Sequence, residues 1–136
     1  MLADVKPLFL SPWVYWLGLL LLCSAYLQGA VDKLWDFRSA VAEMQHFGLA
    51  PAAPFAAATI VLELGASLMI LTGWQRWLGA LALASFTVLA NFLADRFWSA
   101  PKGQRIGVAN AFFEHWGLAG GFLLVAWLDL GGRHVL

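Results

Sequence analysis

The stretch PLFLSPWVYWLGLLLLCSAYLQGAV, Pro7 to Val31, contains no Asp, Glu, Lys or Arg. It exceeds the roughly 20 residues that carry a helix across a bilayer. Three further stretches follow the same rule. Pro54 to Gly73 is interrupted only by Glu63, Trp77 to Ala94 is uncharged, and Ile106 to Leu128 is interrupted only by Glu114. Lipid offers no partner to a free backbone N–H or C=O, so a spanning segment is a helix or belongs to a closed barrel. The two-residue alternation of a barrel strand is absent. The reading is all-α: a bundle of four transmembrane helices over about 12–31, 54–73, 77–95 and 106–128, within a single domain spanning 1–136.

Composition agrees. Of the 136 residues, 62% are hydrophobic and only 12% charged, about half the charge that covers a soluble globule. The mean hydropathy of +0.76 points the same way. So many apolar residues exclude disorder, and one cysteine, Cys23, excludes a disulfide scaffold. Eight Lys and Arg balance eight Asp and Glu, leaving no basic face for nucleic acid.

The links are short. Gly73-Trp74-Gln75-Arg76 is a tight turn, which makes the second and third spans antiparallel neighbours. A Ser99-to-Gly103 breaker separates the third from the fourth. In the longest link, Asp32 to Ala53, Leu34, Phe37, Val41 and Met44 recur at helical spacing opposite Asp36, Arg38 and Glu43. This predicts an amphipathic helix at the membrane surface or capping the bundle, stopped by Gly48-Leu49-Ala50-Pro51. Most of the eight tryptophans fall near span ends, as headgroup anchors do, and Trp116 is expected deeper. Lys6, Arg76 and Arg133 on the side of the termini face Lys33, Arg38, Arg96, Lys102 and Arg105 on the other, too even a split to orient the chain. Leu20-Leu21-Leu22-Cys23 lacks the small residue that precedes a lipoprotein cysteine, so the first segment is read as a retained span.

Each span carries polar residues four apart, hence on one stripe. They are Ser24, Gln28 and Asp32; Thr59, Glu63 and Ser67; Thr87, Asn91 and Asp95; and Asn110 and Glu114. The second and fourth spans start on the same side. At ~1.5 Å per residue, Glu63 and Glu114 would both lie some 12–14 Å in from that face. Gln28, Asn91, Asn110 and the pair Asp32–Lys33 would form a shallower layer of a polar funnel. A charge at bilayer depth costs about 2.5–3.5 kcal/mol or more, so it requires a partner or a proton. Two carboxylates at one level cannot both stay ionised cheaply, which makes Glu63 and Glu114 candidates for a proton relay, with Lys33 the base within reach. Lys33, Gln28, Asn91, Asn110 and Thr59 are the candidate ligand-binding residues. The competing reading makes these groups hydrogen-bonding glue between helices. Cys23 reads first as a small buried hydrophobe. His115 lies about 100° round the helix from Glu114 and need not share the cavity. Three scattered histidines without a CxxC give no metal site.

Together these residues resemble the DoxX family of small four-helix membrane proteins. The resemblance rests on Gly29-x-x-x-Lys33, then Met44-x-x-x-Gly48-Leu49-x-Pro51. It continues with Glu63-Leu-Gly-Ala leading to Leu71-Thr-Gly73 and Arg76, then Phe86-Thr87, and ends with Asn110-x-x-x-Glu114-His115-x-Gly117 and Gly120-Gly121. It covers roughly residues 13–128. Ser11-Pro12-Trp13 stands where family members often carry an arginine. The resemblance implies Lys33, Glu63 and Glu114 as a polar core, with Arg76 in the turn between the second and third spans. It also implies a place in a bacterial inner (plasma) membrane. Name-giving members look like subunits of a membrane thiosulfate:quinone oxidoreductase, and relatives are associated with thiol and oxidative-stress systems. The expected role is a membrane subunit of a quinone- or thiol-linked redox system. No cofactor is required by the sequence, a quinone being the one this role would admit, and a redox partner protein or a second copy would be its company in the lipid bilayer. With no flavin or nucleotide motif and a single cysteine, any oxidoreductase turnover would depend on a partner. The alternative is a non-enzymatic membrane scaffold, or a binder of small molecules or lipid.

Overall fold

In a computed structural model, the backbone of residues 2–135 and the side chains of residues 4–131 are described. Arg133, counted above on the side of the termini, lies outside the described side chains. Helices α1 (Leu2–Phe9), α2 (Pro12–Trp35), α3 (Phe37–His46), α4 (Ala52–Thr72), α5 (Arg76–Ala94) and α6 (Arg105–Val135) follow one another, with a short 3-10 turn at Phe97–Ser99. Among the described residues, four helices are long and apolar enough to cross a membrane: α2, α4, α5 and α6.

Their surfaces explain why. Leu10, Trp13, Val61, Leu89, Ile106 and Trp127 are largely exposed, while Glu63, Ser67, Thr87 and Asn91 are buried. That distribution is costly in water and natural in lipid, where apolar side chains face outward at no penalty. The core is built from Leu19, Cys23 and Tyr26 of α2, Ala66 and Ile70 of α4, Leu83 of α5, and Phe122 and Val125 of α6. Small residues bring the backbones close. A Cβ on Gly79 would meet the Ala66 carbonyl oxygen at 2.8 Å, so α4 and α5 can cross there only without one.

The boundaries have local causes. Pro12 occupies the first turn of α2, where its missing N–H is no loss. Gly73 ends α4 in the left-handed region, with φ 84°. The α4–α5 turn is then fastened from three sides. Arg76 Nε donates to the Ile70 carbonyl (2.7 Å), Trp16 Nε1 donates to the Leu71 carbonyl (3.2 Å), and the Asp129 carboxylate accepts the Trp77 N–H (3.0 Å). Carbonyls at the end of one helix and an amide at the start of the next are thereby satisfied.

A helix forms in the long link. Asp36 caps α3, accepting the Ser39 N–H (3.2 Å) and Ser39 hydroxyl (2.7 Å). Ala40 and Met44 pack on Ala56 of α4, while Arg38 and Glu43 stay exposed. Helix α3 therefore rests along α4 at the end where α2 finishes and α4 begins. α2 meets α6 through a few side chains, Tyr26 against Phe122 and Leu22 beside Gly121, and toward the α4–α5 turn a cleft runs between the two helices.

Candidate functional site

Four helices deliver polar side chains to one end of the bundle, beside the Asp32–Ala53 and Asp95–Arg105 links. Two clusters meet there. In the first, Lys33 Nζ of α2 donates to Glu63 Oε1 of α4 at 2.7 Å, and the Glu63 side chain is only 6% exposed. The pair depends on Gly29. A Cβ at that position would lie 3.0 Å from Glu63 Oε2 and 3.4 Å from Lys33 Nζ, so glycine vacates the space the carboxylate occupies.

In the second cluster, His115 Nδ1 lies 2.9 Å from Asp95 Oδ2 and 3.2 Å from Asn91 Oδ1. Asn91 is fully buried and donates its amide to the Phe112 carbonyl at 2.9 Å. That bond turns the Asn91 oxygen toward the imidazole. Both neighbours of Nδ1 are therefore acceptors, so Nδ1 carries a hydrogen and Nε2 is the ring position left to exchange a proton. Between the clusters, the Tyr26 hydroxyl bonds to Thr87, whose own hydroxyl donates to the Leu83 carbonyl (2.6 Å). Thr87 thus accepts, and Tyr26 donates. Glu63, Tyr26, Thr87, Asn91, Asp95 and His115 line a common cavity of about 220 Å³, walled on its apolar side by Phe86 and Leu118.

Of the seven residues that the sequence put in the site, Glu114, Gln28, Asn110 and Thr59 lie outside this arrangement. Lys33 pairs with Glu63, and Glu63 and Asn91 line one cavity, whereas Glu114 does not join them. It is exposed on the outer face of α6, and His115 takes the inward place. The two carboxylates share no site. Depth accounts for part of the error. His115 contacts Asp95, the residue that ends α5, so this part of α6 lies level with the end of its neighbour rather than well below it. Asn110, one turn earlier, is exposed. Gln28 also faces outward, bonded to Asp32, and Ser24 donates to its own helix at the Leu21 carbonyl. The inward stripe of α2 is Leu19, Cys23, Tyr26 and Ala30. Thr59 is half-buried and bonded to the Phe55 carbonyl, outside the cavity lining.

Sequence reasoning missed Tyr26, His115 and Asp95 as one constellation. The available signal was heptad-like spacing: Phe112, His115, Ala119, Phe122 and Ala126 lie three or four apart on one face of α6. Trp116, expected deeper in the membrane, joins a partly exposed aromatic cluster with Phe92 and Phe112, to which Trp98 also packs. Cys23 is completely buried, with its thiol against Ser67, and stands apart from the cavity.

An all-helical bundle with four apolar spans and a polar cluster at one end defines an integral membrane protein. The DoxX family model matches residues 17–96, more than half of the chain, and the chain belongs to the DoxX family. The match takes in α4, α5 and nearly all of α2, and ends before α6, which contributes His115. No curated protein and no solved structure matches the chain.

Proposed function

We propose that this DoxX-family protein is the membrane subunit of a quinone-linked redox system in a bacterial inner membrane, and that its polar cavity receives the quinone head group. The observation that carries this reading is the convergence of Glu63, Tyr26, Asn91 and His115 on one cavity inside an otherwise apolar bundle. At about 220 Å³ the cavity is smaller than the roughly 300–1,000 Å³ of drug-sized ligand sites, which suits a single substituted ring. The donor set also fits. A carbonyl-bearing ring needs hydrogen-bond donors, and a protonated His115 presents one from Nε2 while Asp95 and Asn91 hold the ring through Nδ1. When bound, a quinone supplies an acceptor for two electrons, which a partner enzyme must provide, and for two protons.

The chain's own residues would handle the protons. The half-exposed His115 exchanges one at Nε2, and Asp95 stabilises the charged imidazolium that results. Glu63, neutralised by Lys33, offers a second protonatable group on the cavity wall. Phe86, Leu118 and Ala90 exclude water from the remaining walls. Helix α3, lying at the membrane surface over the same end, and the Asp95–Arg105 link are where the partner would dock.

The test is quinone-linked turnover of the assembled system. His115→Gln and Glu63→Gln should each lower it by about a hundredfold or more, the usual weight of a positioned acid or base. Glu114→Gln should leave it unchanged. Equal turnover in all three variants would overturn the reading. One observation favours the alternative of a non-enzymatic scaffold or small-molecule binder. The Lys33–Glu63 pair is complete in itself, with Gly29 shaped to fit it. On that reading Glu63→Gln lowers stability and leaves no activity to lose.

A further inference from the structure

Three sides of the bundle are closed by packed helices: α2 on α4, α4 on α5, and α5 on α6. The fourth side, between α2 and α6, is a seam held by a few side chains. The Tyr26 ring meets Phe122 edge-on with 5.3 Å between centroids, and a Cβ on Gly121 would lie 3.2 Å from the Leu22 side chain. The polar cavity adjoins this seam. Ala25 and Tyr26 of α2 and His115 and Leu118 of α6 belong to its lining, and Ala25 is exposed. Toward the α4–α5 turn, the same seam opens into the cleft of about 770 Å³.

Two apolar stripes join the cavity to the cleft. On α2, Ala25, Leu22, Gly18 and Val14 stand three or four residues apart, Ala25 lining the cavity and the other three the cleft. On α6, Leu118 lines the cavity, Gly121 follows one turn later beside Leu22, and Val125 and Leu128 line the cleft. From Ala25 to Val14 the track runs ~16 Å along the helix axis. Gly18 has nothing within 4 Å of a Cβ placed there, so the track is open at its middle. Polar groups at its far end are engaged with the protein itself. Arg76 donates to the Ile70 carbonyl and to Tyr15, and Asp129 accepts the Trp77 N–H. What the cleft offers an occupant is therefore hydrocarbon surface.

We propose that this track holds the prenyl tail of the quinone whose head group occupies the polar cavity. The tail leaves between Ala25 and Leu118 and lies along the α2–α6 seam into the cleft. This inference rests on the quinone reading and assigns the class of quinone: a lipid-soluble one with an isoprenoid tail, taken sideways from the bilayer. Two arguments select that occupant. A ring substituent has to leave the cavity somewhere, and packed helices close the other three sides. Lipid is as apolar as the cleft, so an unattached chain gains nothing by entering. A tail tethered to a bound head group enters in an intramolecular step, at high effective concentration.

The experiment is photolabelling of the full chain in phosphatidylcholine nanodiscs, using a prenylated benzoquinone with a diazirine near the end of its tail. Label should concentrate on Gly18 and Leu22 of α2 and on Val125 and Leu128 of α6. Excess tail-less benzoquinone should displace it by taking the cavity. Gly18→Leu fills open space, so the protein should stay folded, lose the cleft label and bind the prenylated quinone several-fold more weakly. Its binding of the tail-less ring should be unchanged. Displaceable label on the outward faces of α4 and α5, at Val61 and Leu89, would overturn the inference while the quinone reading stands. Cleft label that persists although the tail-less ring binds would also overturn it, because the cleft would then accept any bilayer chain. Binding of neither quinone would sink both readings. A dimer of the wild type that Gly18→Leu splits into monomers would overturn the inference as well, because the cleft would then hold a second copy.

Discussion

Lys33 and Glu63 illustrate how little freedom a charge has inside this bundle. Removing one partner leaves the other stranded at low dielectric, at a cost of about 3–5 kcal/mol, whereas replacing both with apolar residues can be neutral. Lys33→Met should therefore destabilise the protein by about that amount, and Lys33→Met with Glu63→Leu should recover most of it. Thermal unfolding in detergent would measure both, and additive losses would contradict a coupled pair. Gly29→Ala probes the same pair through sterics. Its Cβ would lie 3.0 Å from Glu63 Oε2, so the carboxylate must move and the ion pair loosen. Gly29 and Lys33 are one turn apart, and that spacing was legible in the sequence as part of a family pattern. The reason for the glycine was not, because it lies in the side chain of another helix.

The helices themselves are held by a few end contacts. The Ser39 hydroxyl and N–H hold the Asp36 carboxyl below its usual range of about 3.9. The folded-state pKa is thus below the unfolded one. The cap stabilises α3 fully above the unfolded pKa, and its contribution is lost as pH falls through the folded value. Amide exchange at Ser39 should accelerate on acidification below about pH 4 in the wild type, and should already be fast at neutral pH in Asp36→Ala. At the α4–α5 crossing, Gly79→Ala would place a Cβ 2.8 Å from the Ala66 carbonyl. Overpacking of this kind costs about 1–3 kcal/mol, which a lowered melting temperature would report. The existence and approximate extent of the four spanning helices could be read from uncharged runs alone. Which face of α2 and α6 turns inward could not. Lipid accepts apolar residues on any side, so hydropathy carries no inward direction, and polar residues near a span end can face out toward the interface, as Asn110 and Glu114 do.

For the molecule as a whole, the fold assigns ends to the links. Asp32–Ala53 and Asp95–Arg105 share one end, and Gly73–Gln75 lies at the other. With native Cys23 buried, single cysteines introduced at exposed Glu43 and Lys102 should label together with a membrane-impermeant maleimide. A cysteine at Trp74 should label only from the opposite side. Labelling of all three from one side would refute the four-span arrangement.

Charge scarcity and uninterrupted apolar runs determined, from the sequence alone, that this chain is a four-helix membrane protein, because the cost of an unpaired charge or backbone amide in lipid leaves no other solution. Family motifs in order along those runs placed it among DoxX proteins. Only tertiary structure decided the site. The sequence put Glu63 and Glu114 at one depth by counting from each helix start. The packed bundle sets α6 so that His115 meets the end of α5 and Glu114 faces away. The axial offset and rotation of a helix are set by how its small and large side chains interlock with its neighbours. That information is shared among several helices and is written in none of them singly.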